Sequence, residues 1–172
     1  IGRGIIMPVA DGVVTNGINV IEGSGQADSL TIGGGTGRET VNLGAGNDLA
    51  SLGDGNDVIR PGAGDDTING GGGIDTVDVA ADATLVFNTT LGLWQTISAT
   101  EGTDALSSVG VVQVNPTFLL VGGGGDFASI QAALDFAADP LNGIDAANTT
   151  VLVAPGVTDA GFVVAASLAG IT

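Results

Sequence analysis

Residues 34–78 read GGTGRETVN-LGAGNDLAS-LGDGNDVIR-PGAGDDTIN-GGGGIDTVD, five nine-residue units in unbroken register. The second position is always glycine (Gly35, Gly44, Gly53, Gly62, Gly71), and so is the fourth (Gly37, Gly46, Gly55, Gly64, Gly73). The sixth is always acidic (Glu39, Asp48, Asp57, Asp66, Asp75) and the eighth always aliphatic (Val41, Ala50, Ile59, Ile68, Val77). An imperfect earlier copy, GSGQADSLT over 23–31, places Asp28 and Leu30 correctly but needs two extra residues before the next unit. Sixteen of the 31 glycines fall within 21–80, so glycine is concentrated in the repeat and not spread along the chain.

The residues after each acid, such as Thr67-Ile68-Asn69, predict a short strand with one inward aliphatic side chain. The Gly-x-Gly stretch before them predicts a tight turn, because glycine alone enters positive φ without penalty. Strand and turn alternate, so two units make one 18-residue coil. Acids 18 residues apart then stack about one strand spacing, ~4.8 Å, from each other. Glu39, Asp57 and Asp75 line one edge; Asp48 and Asp66, with Asp28 above them, line the other. Carboxylates stacked this closely repel unless a cation lies between them. A hard divalent ion takes six to eight oxygens, and bare turn carbonyls stand ready beside the acids.

The unit resembles the RTX (hemolysin-type) calcium-binding repeat, G-G-x-G-x-D-x-U-x. The resemblance implies a parallel β-roll holding about three to four Ca²⁺ ions. The ligands it implies are the sixth-position acids with the second- and fourth-position glycines, and Asp57/Asp75 and Asp48/Asp66 are the best-formed pairs. Glu39/Asp57 departs from the pattern, since Glu39 is a methylene longer and has Arg38 beside it. Ile74 departs as well, standing where the other units have Arg38, Asn47, Asn56 or Asp65. Asp54, Asp65 and Asp78 lie off the sixth position and read as solvated turn residues.

Composition narrows the function classes. The 172-residue chain has 19 acidic and 3 basic residues and a formal net charge of −16, so it offers no cationic patch to nucleic acid. It has no Cys, His, Tyr or Lys. Disulfides, Cys/His zinc sites and histidine acid–base catalysis are therefore excluded. No apolar run reaches the roughly 20 residues of a membrane-spanning helix. With 44% hydrophobic residues, the chain is too apolar to read as a disordered acidic tail. The opening Ile1-Gly2-Arg3 carries neither an initiating Met nor a signal peptide, and the chain reads as part of a longer polypeptide.

The organisation expected is an N-terminal strand segment over 1–20, the calcium-binding roll over 21–80, a closing β segment over 81–116, and a different unit over 117–172. Residues 84–87 and 109–114 read as closing strands, and the lone Trp94 as packing over an end of the stack. After a strand near 119–121 and a glycine run at 122–125, Asp126 reads as the N-cap of a helix over about 126–138. The glycine run lacks the Lys and the βαβ setting of a phosphate loop and reads as a connector. Strands over 150–154 and 162–165 follow. GGDFASIQAALDFA and TVLVAPGV resemble the opening of pectate-lyase-like right-handed parallel β-helix proteins, in which a helix covers the end of the core. The fold class expected is all-β: an RTX β-roll (β-solenoid) joined to the start of a right-handed parallel β-helix with one short capping helix.

No constellation of residues points to catalysis. The function expected is a calcium-dependent structural module of a large protein at the surface of, or secreted by, a Gram-negative bacterium: an adhesin, surface layer or matrix fibre. The resemblance implies type I export. Its partners would be calcium and further segments of the parent chain or neighbouring copies, with a polysaccharide or cell-surface ligand open. The alternative is an accessory calcium-binding part of an extracellular polysaccharide-active β-helix enzyme of epimerase or lyase type.

Overall fold

The computed structural model describes residues 11–15, 20–33 and 36–158. The first eight strands are β1 (Asp11–Thr15), β2 (Val20–Glu22), β3 (Ser29–Gly33), β4 (Thr40–Asn42), β5 (Leu49–Ser51), β6 (Val58–Arg60), β7 (Thr67–Asn69) and β8 (Thr76–Asp78). Odd strands stack in parallel in one sheet and even strands in the other, so each coil gives one strand to each. The register advances by one 18-residue coil, as in Thr40↔Val58 and Leu49↔Thr67. The coil above is two residues longer (Val20↔Thr40, Ser29↔Leu49) and absorbs the irregular first copy.

Strands β4 to β8 are three residues long, with their middle side chain pointing inward; positive-φ glycines (Gly44, Gly62, Gly71) turn the chain two residues after β4, β6 and β7. Ile21, Val41, Ile59 and Val77 stack along one sheet, Leu30, Ala50 and Ile68 along the other, all buried. A second inward row, not singled out in the sequence reading, comes from the first position of the unit. Ile32, Leu43, Leu52 and Val79 are buried there, with Pro61 and Gly70 in the same row. Each buried aliphatic adds about 1.5–3 kcal/mol, so the extra row thickens an otherwise thin core.

The roll continues beyond residue 80. Strands β9 (Thr84–Asn88), β10 (Leu93–Ser98), β11 (Gly102–Ser107) and β12 (Val111–Gln113) follow. β11 lies parallel on β7 and β12 parallel on β8, forming a further coil into which the antiparallel β9–β10 hairpin is spliced. Trp94 on the hairpin is buried, meets Phe87 edge-on with ring centroids 5.2 Å apart, and donates its indole N–H to the Gly122 carbonyl at 2.9 Å.

β13 (Thr117–Val121) runs antiparallel to β12, so chain direction reverses where the roll gives way; β14 (Thr149–Val153) then lies parallel to β13. Between them, helix α1 spans Ile130–Ala138. It starts later than the sequence suggested, and its N-cap is Ser129, whose hydroxyl accepts from the Ala132 N–H at 3.1 Å. Asp126 is not the cap, because its carboxylate is engaged elsewhere. Val112 and Leu120 face the roll's interior, whereas Val111, Leu119 and Val121 pack with Phe127, Ala133, Leu134 and Ala137. The helix therefore covers the outer face of the sheet at β12 and β13. The strand expected over 162–165, and residues 1–10 of the expected N-terminal strand segment, lie outside the described residues.

The turns impose the tightest limit on sequence. A Cβ on Gly62, at φ +91°, would sit 1.8 Å from the Gly44 carbonyl oxygen of the coil above. Gly62→Ala is expected to cost at least about 2–3 kcal/mol through strained φ and a forced separation of coils. Gly25→Ala, with nothing within 4 Å, is expected to stay within about 0.5 kcal/mol. Thermal unfolding of both variants in calcium checks the contrast.

Candidate metal centre

The sixth-position acids form two continuous ladders. On one edge, the Glu39 N–H donates to Asp57 Oδ1 and the Asp57 N–H to Asp75 Oδ1, both at 2.8 Å. On the other, Asp28 N–H donates to Asp48 Oδ1 at 2.7 Å and Asp48 N–H to Asp66 Oδ1 at 2.8 Å. Each carboxylate thus reaches back to the amide of the equivalent residue one coil earlier. The pairs Asp57/Asp75, Asp48/Asp66, Glu39/Asp57 and Asp28/Asp48 are all brought together as stacked neighbours, and all six acids are buried.

On four of the rungs only one oxygen is used in this way. Asp48, Asp57, Asp66 and Asp75 each bury an Oδ2 that has no hydrogen-bond partner among the described residues. An unpaired buried carboxylate oxygen is costly, and a cation is the group that satisfies it. No three acidic side chains converge into a cage among the described residues. An ion held here would draw on one or two carboxylates and on backbone carbonyls. Oxygen donors in that mixture suit Ca²⁺.

The turn glycines bring backbone carbonyls of successive coils into close approach. Gly44, Gly46, Gly55, Gly62, Gly64, Gly71 and Gly73 all have positive φ. A Cβ on Gly55, Gly64 or Gly73 would lie 1.8 Å from the carbonyl oxygen of Gly37, Gly46 or Gly55 respectively. Gly53 presents its carbonyl to Gly71 in the same manner. Gly35 lies outside the described residues.

The fifth position forms a second ladder in the opposite sense. Asn47 Oδ1 accepts from Asp65 N–H at 3.1 Å, Asn56 Oδ1 from Ile74 N–H at 3.0 Å, and Asp65 Oδ1 from Thr103 N–H at 2.9 Å. Asp65 is thus both exposed and part of the framework. Ile74 cannot accept in turn; its side chain packs instead against the cluster around α1. Asp78 pairs with Arg60 at 2.9 Å in a half-exposed bridge of little energetic weight.

Two rungs were missed by the sequence reading. Asp66 N–H donates to Asp104 Oδ1 at 3.1 Å, and Asp75 N–H to Asp126 Oδ2 at 2.8 Å. Asp104 had a legible signal: Gly102-Thr103-Asp104-Ala105-Leu106 repeats the spacing of glycine, acid and aliphatic, displaced by the hairpin. Asp126 had none. The second ladder ends in hydroxyls, since Thr96 donates to Asp104 Oδ2 at 2.8 Å and Ser24 donates through N–H and hydroxyl to Asp28.

Burial pushes the Asp48, Asp57, Asp66 and Asp75 carboxyl groups up from their ordinary values. Desolvation leads in every case; like charges on adjacent rungs add to it for Asp48, Asp66 and Asp75, while backbone N–H donors oppose it. Asp66 rises to about 7 and Asp75 to about 8. Asp104 and Asp126 each rise to about 6.

Residues 13–50, 33–68 and 44–77 match the family described as RTX calcium-binding nonapeptide repeat (4 copies). No curated protein and no solved structure matches the chain. Residues 13–77 carry RTX repeats, and calcium is the ion such an array binds.

The raised values set a pH dependence. With carboxyl pKa values above the ~3.9 of an exposed Asp, the ion-free fold retains protons that the unfolded chain has released. Its stability is fullest below about pH 4 and is lost as pH rises through about 7 and 8, the values for Asp66 and Asp75. Calcium-stripped protein is expected to gain β structure by circular dichroism as pH falls from about 8 to 5, and calcium affinity to weaken over the same range. A calcium-free signal flat across that window would contradict the reading.

Proposed function

We propose that this chain is a calcium-dependent structural module of a large secreted or cell-surface protein, of the adhesin, surface-layer or matrix-fibre kind, in a Gram-negative bacterium. The observation that carries it is the pair of buried acid ladders, in which four consecutive-rung aspartates keep an unpartnered Oδ2. Asp48/Asp66 and Asp57/Asp75 hold the ions, Glu39/Asp57 and Asp28/Asp48 bind more weakly, and the turn glycines supply carbonyls. Extracellular calcium modules bind at about 10⁻⁴–10⁻³ M, a level met outside cells, which supports folding after export.

The module is not catalytic. The chain has no His, Cys, Tyr or Lys, and its buried carboxylates are committed to the ladders. Among the described residues β1 and β2 lie at the outer edges of the parallel sheets, and such edges are templates for further strands, which favours stacking onto more chain or onto a neighbouring copy.

A calcium titration followed by circular dichroism and light scattering tests this. β structure is expected to rise near millimolar Ca²⁺, and Mg²⁺ is expected not to replace it, because Mg²⁺ demands a tighter octahedral shell. A chain folded to the same extent in calcium and in chelator at neutral pH would sink the proposal.

A further inference from the structure

We infer that Asp126, outside the nonapeptide units, completes a further divalent-cation site with Asp75 and so ties ion binding to docking of the β13–α1–β14 unit. The inference rests on the calcium-binding reading and deepens it. On the first ladder the next sixth-position residue is not acidic. Val111 is in register with Thr76, which sets Gly110 opposite Asp75. With no side chain there, the ladder would stop at Asp75, whose own Oδ2 is fully buried and unpartnered.

Asp126 enters this gap from a different part of the chain. Its Oδ2 accepts from the Asp75 N–H at 2.8 Å, the length of the two rungs above it. The Gly110 N–H, which donates to the Asp75 carbonyl at 3.1 Å, also lies near enough to favour the charged Asp126 carboxylate. Gly110 makes the entry possible: a Cβ there would lie 3.0 Å from Asp126 Oδ2 and 3.2 Å from Asp126 Cβ. The backbone of the incoming segment is fixed by Leu120 N–H to Gly110 O at 2.9 Å and by Gly125 N–H to Gly122 O at 2.9 Å. The geometry thus rebuilds, across 51 residues, the relation that the repeats achieve across 18.

The ends of the two ladders differ in consequence. Asp104 has its second oxygen answered by Thr96. Asp126 has no such hydroxyl cap among the described residues, and its Oδ2 sits on the amide of Asp75, the residue whose own Oδ2 is buried and unpartnered. A hard divalent cation there takes Asp75 and Asp126 together with turn carbonyls. It binds fully only when the segment ahead of α1 is docked.

Isothermal titration of the full chain with Ca²⁺ alone counts the ions, and hydrogen exchange reads residues 110–138. Asp126→Asn keeps an acceptor for the Asp75 amide while removing the charge. It is expected to bind one ion fewer per chain, with affinity at the remaining sites changed less than about threefold, and to lose calcium-dependent protection over 110–138. Asp135→Asn, on the exposed side of α1, is expected to leave both unchanged. An unchanged ion count and protection in Asp126→Asn overturns the inference while leaving calcium binding by the repeats intact; no calcium binding by the wild type overturns both. If Asp126→Asn does not fold, the double variant Asp126→Gly with Gly110→Asp decides, since it returns the acid to its in-register position and removes the Cβ that would crowd it. Recovery of fold and full ion count upholds the inference, and failure to recover the count overturns it.

Discussion

Everything in the roll follows from holding like charges one strand spacing apart in a dry place. Strands in register sit about 4.8 Å apart. At an effective dielectric of about 20, two unit charges at that distance repel by about 3–4 kcal/mol. Asp57 and Asp75 are fully buried on one edge, and Asp48 and Asp66 nearly so on the other. Backbone amides donating to Oδ1 offset part of the cost, but they leave each Oδ2 unanswered. Protons or cations must supply the rest, and outside a cell calcium is the abundant candidate. Fold and charge neutralisation are thus linked: stacking the coils brings the carboxylates together, and protons or cations on them relieve the repulsion that stacking creates.

The two polar ladders explain how such a short repeat keeps its register. Sixth-position carboxylates bond upward to the previous coil, while fifth-position Asn47, Asn56 and Asp65 accept from the coil below. A slip by one residue would break both sets and turn the inward aliphatics outward. The glycines then permit the approach that both ladders need, because a side chain at Gly62 or Gly64 would occupy the carbonyl of the coil above. Position by position, the nonapeptide is the least chemistry that satisfies strand, turn and ion together.

That economy is why the repeat could be read from sequence and why its margins could not. Strand length, inward aliphatics, coil size and both stacks of acids follow from a period of nine. The first-position row of Leu43 and Leu52 escaped notice because Pro61 and Gly70 interrupt it. Asp104 escaped because the hairpin separates it from Asp66 by 38 residues. Asp126 was misread for a deeper reason. A glycine run, an acid and then an apolar helix is the local signature of an N-cap, and nothing local reveals that an amide from another coil competes for the carboxylate. Ser129, three residues on, takes the capping role that Asp126 leaves.

The last coil shows how a periodic structure is joined to an aperiodic one. On β12, Val112 faces the stacked aliphatics and Val111 faces the cluster under α1, so one strand serves two cores. β13 does the same, with Leu120 turned to the roll and Leu119 and Val121 turned to the helix. Ile74 breaks the fifth-position pattern on the turn that packs against that second cluster, where a polar side chain would be set among apolar groups. The departures from the repeat are therefore not decay. Ile74, Gly110 and Asp126 are the substitutions required where a helix lies across the outer face of the sheet and the acid ladder must be finished by a residue the repeat does not contain.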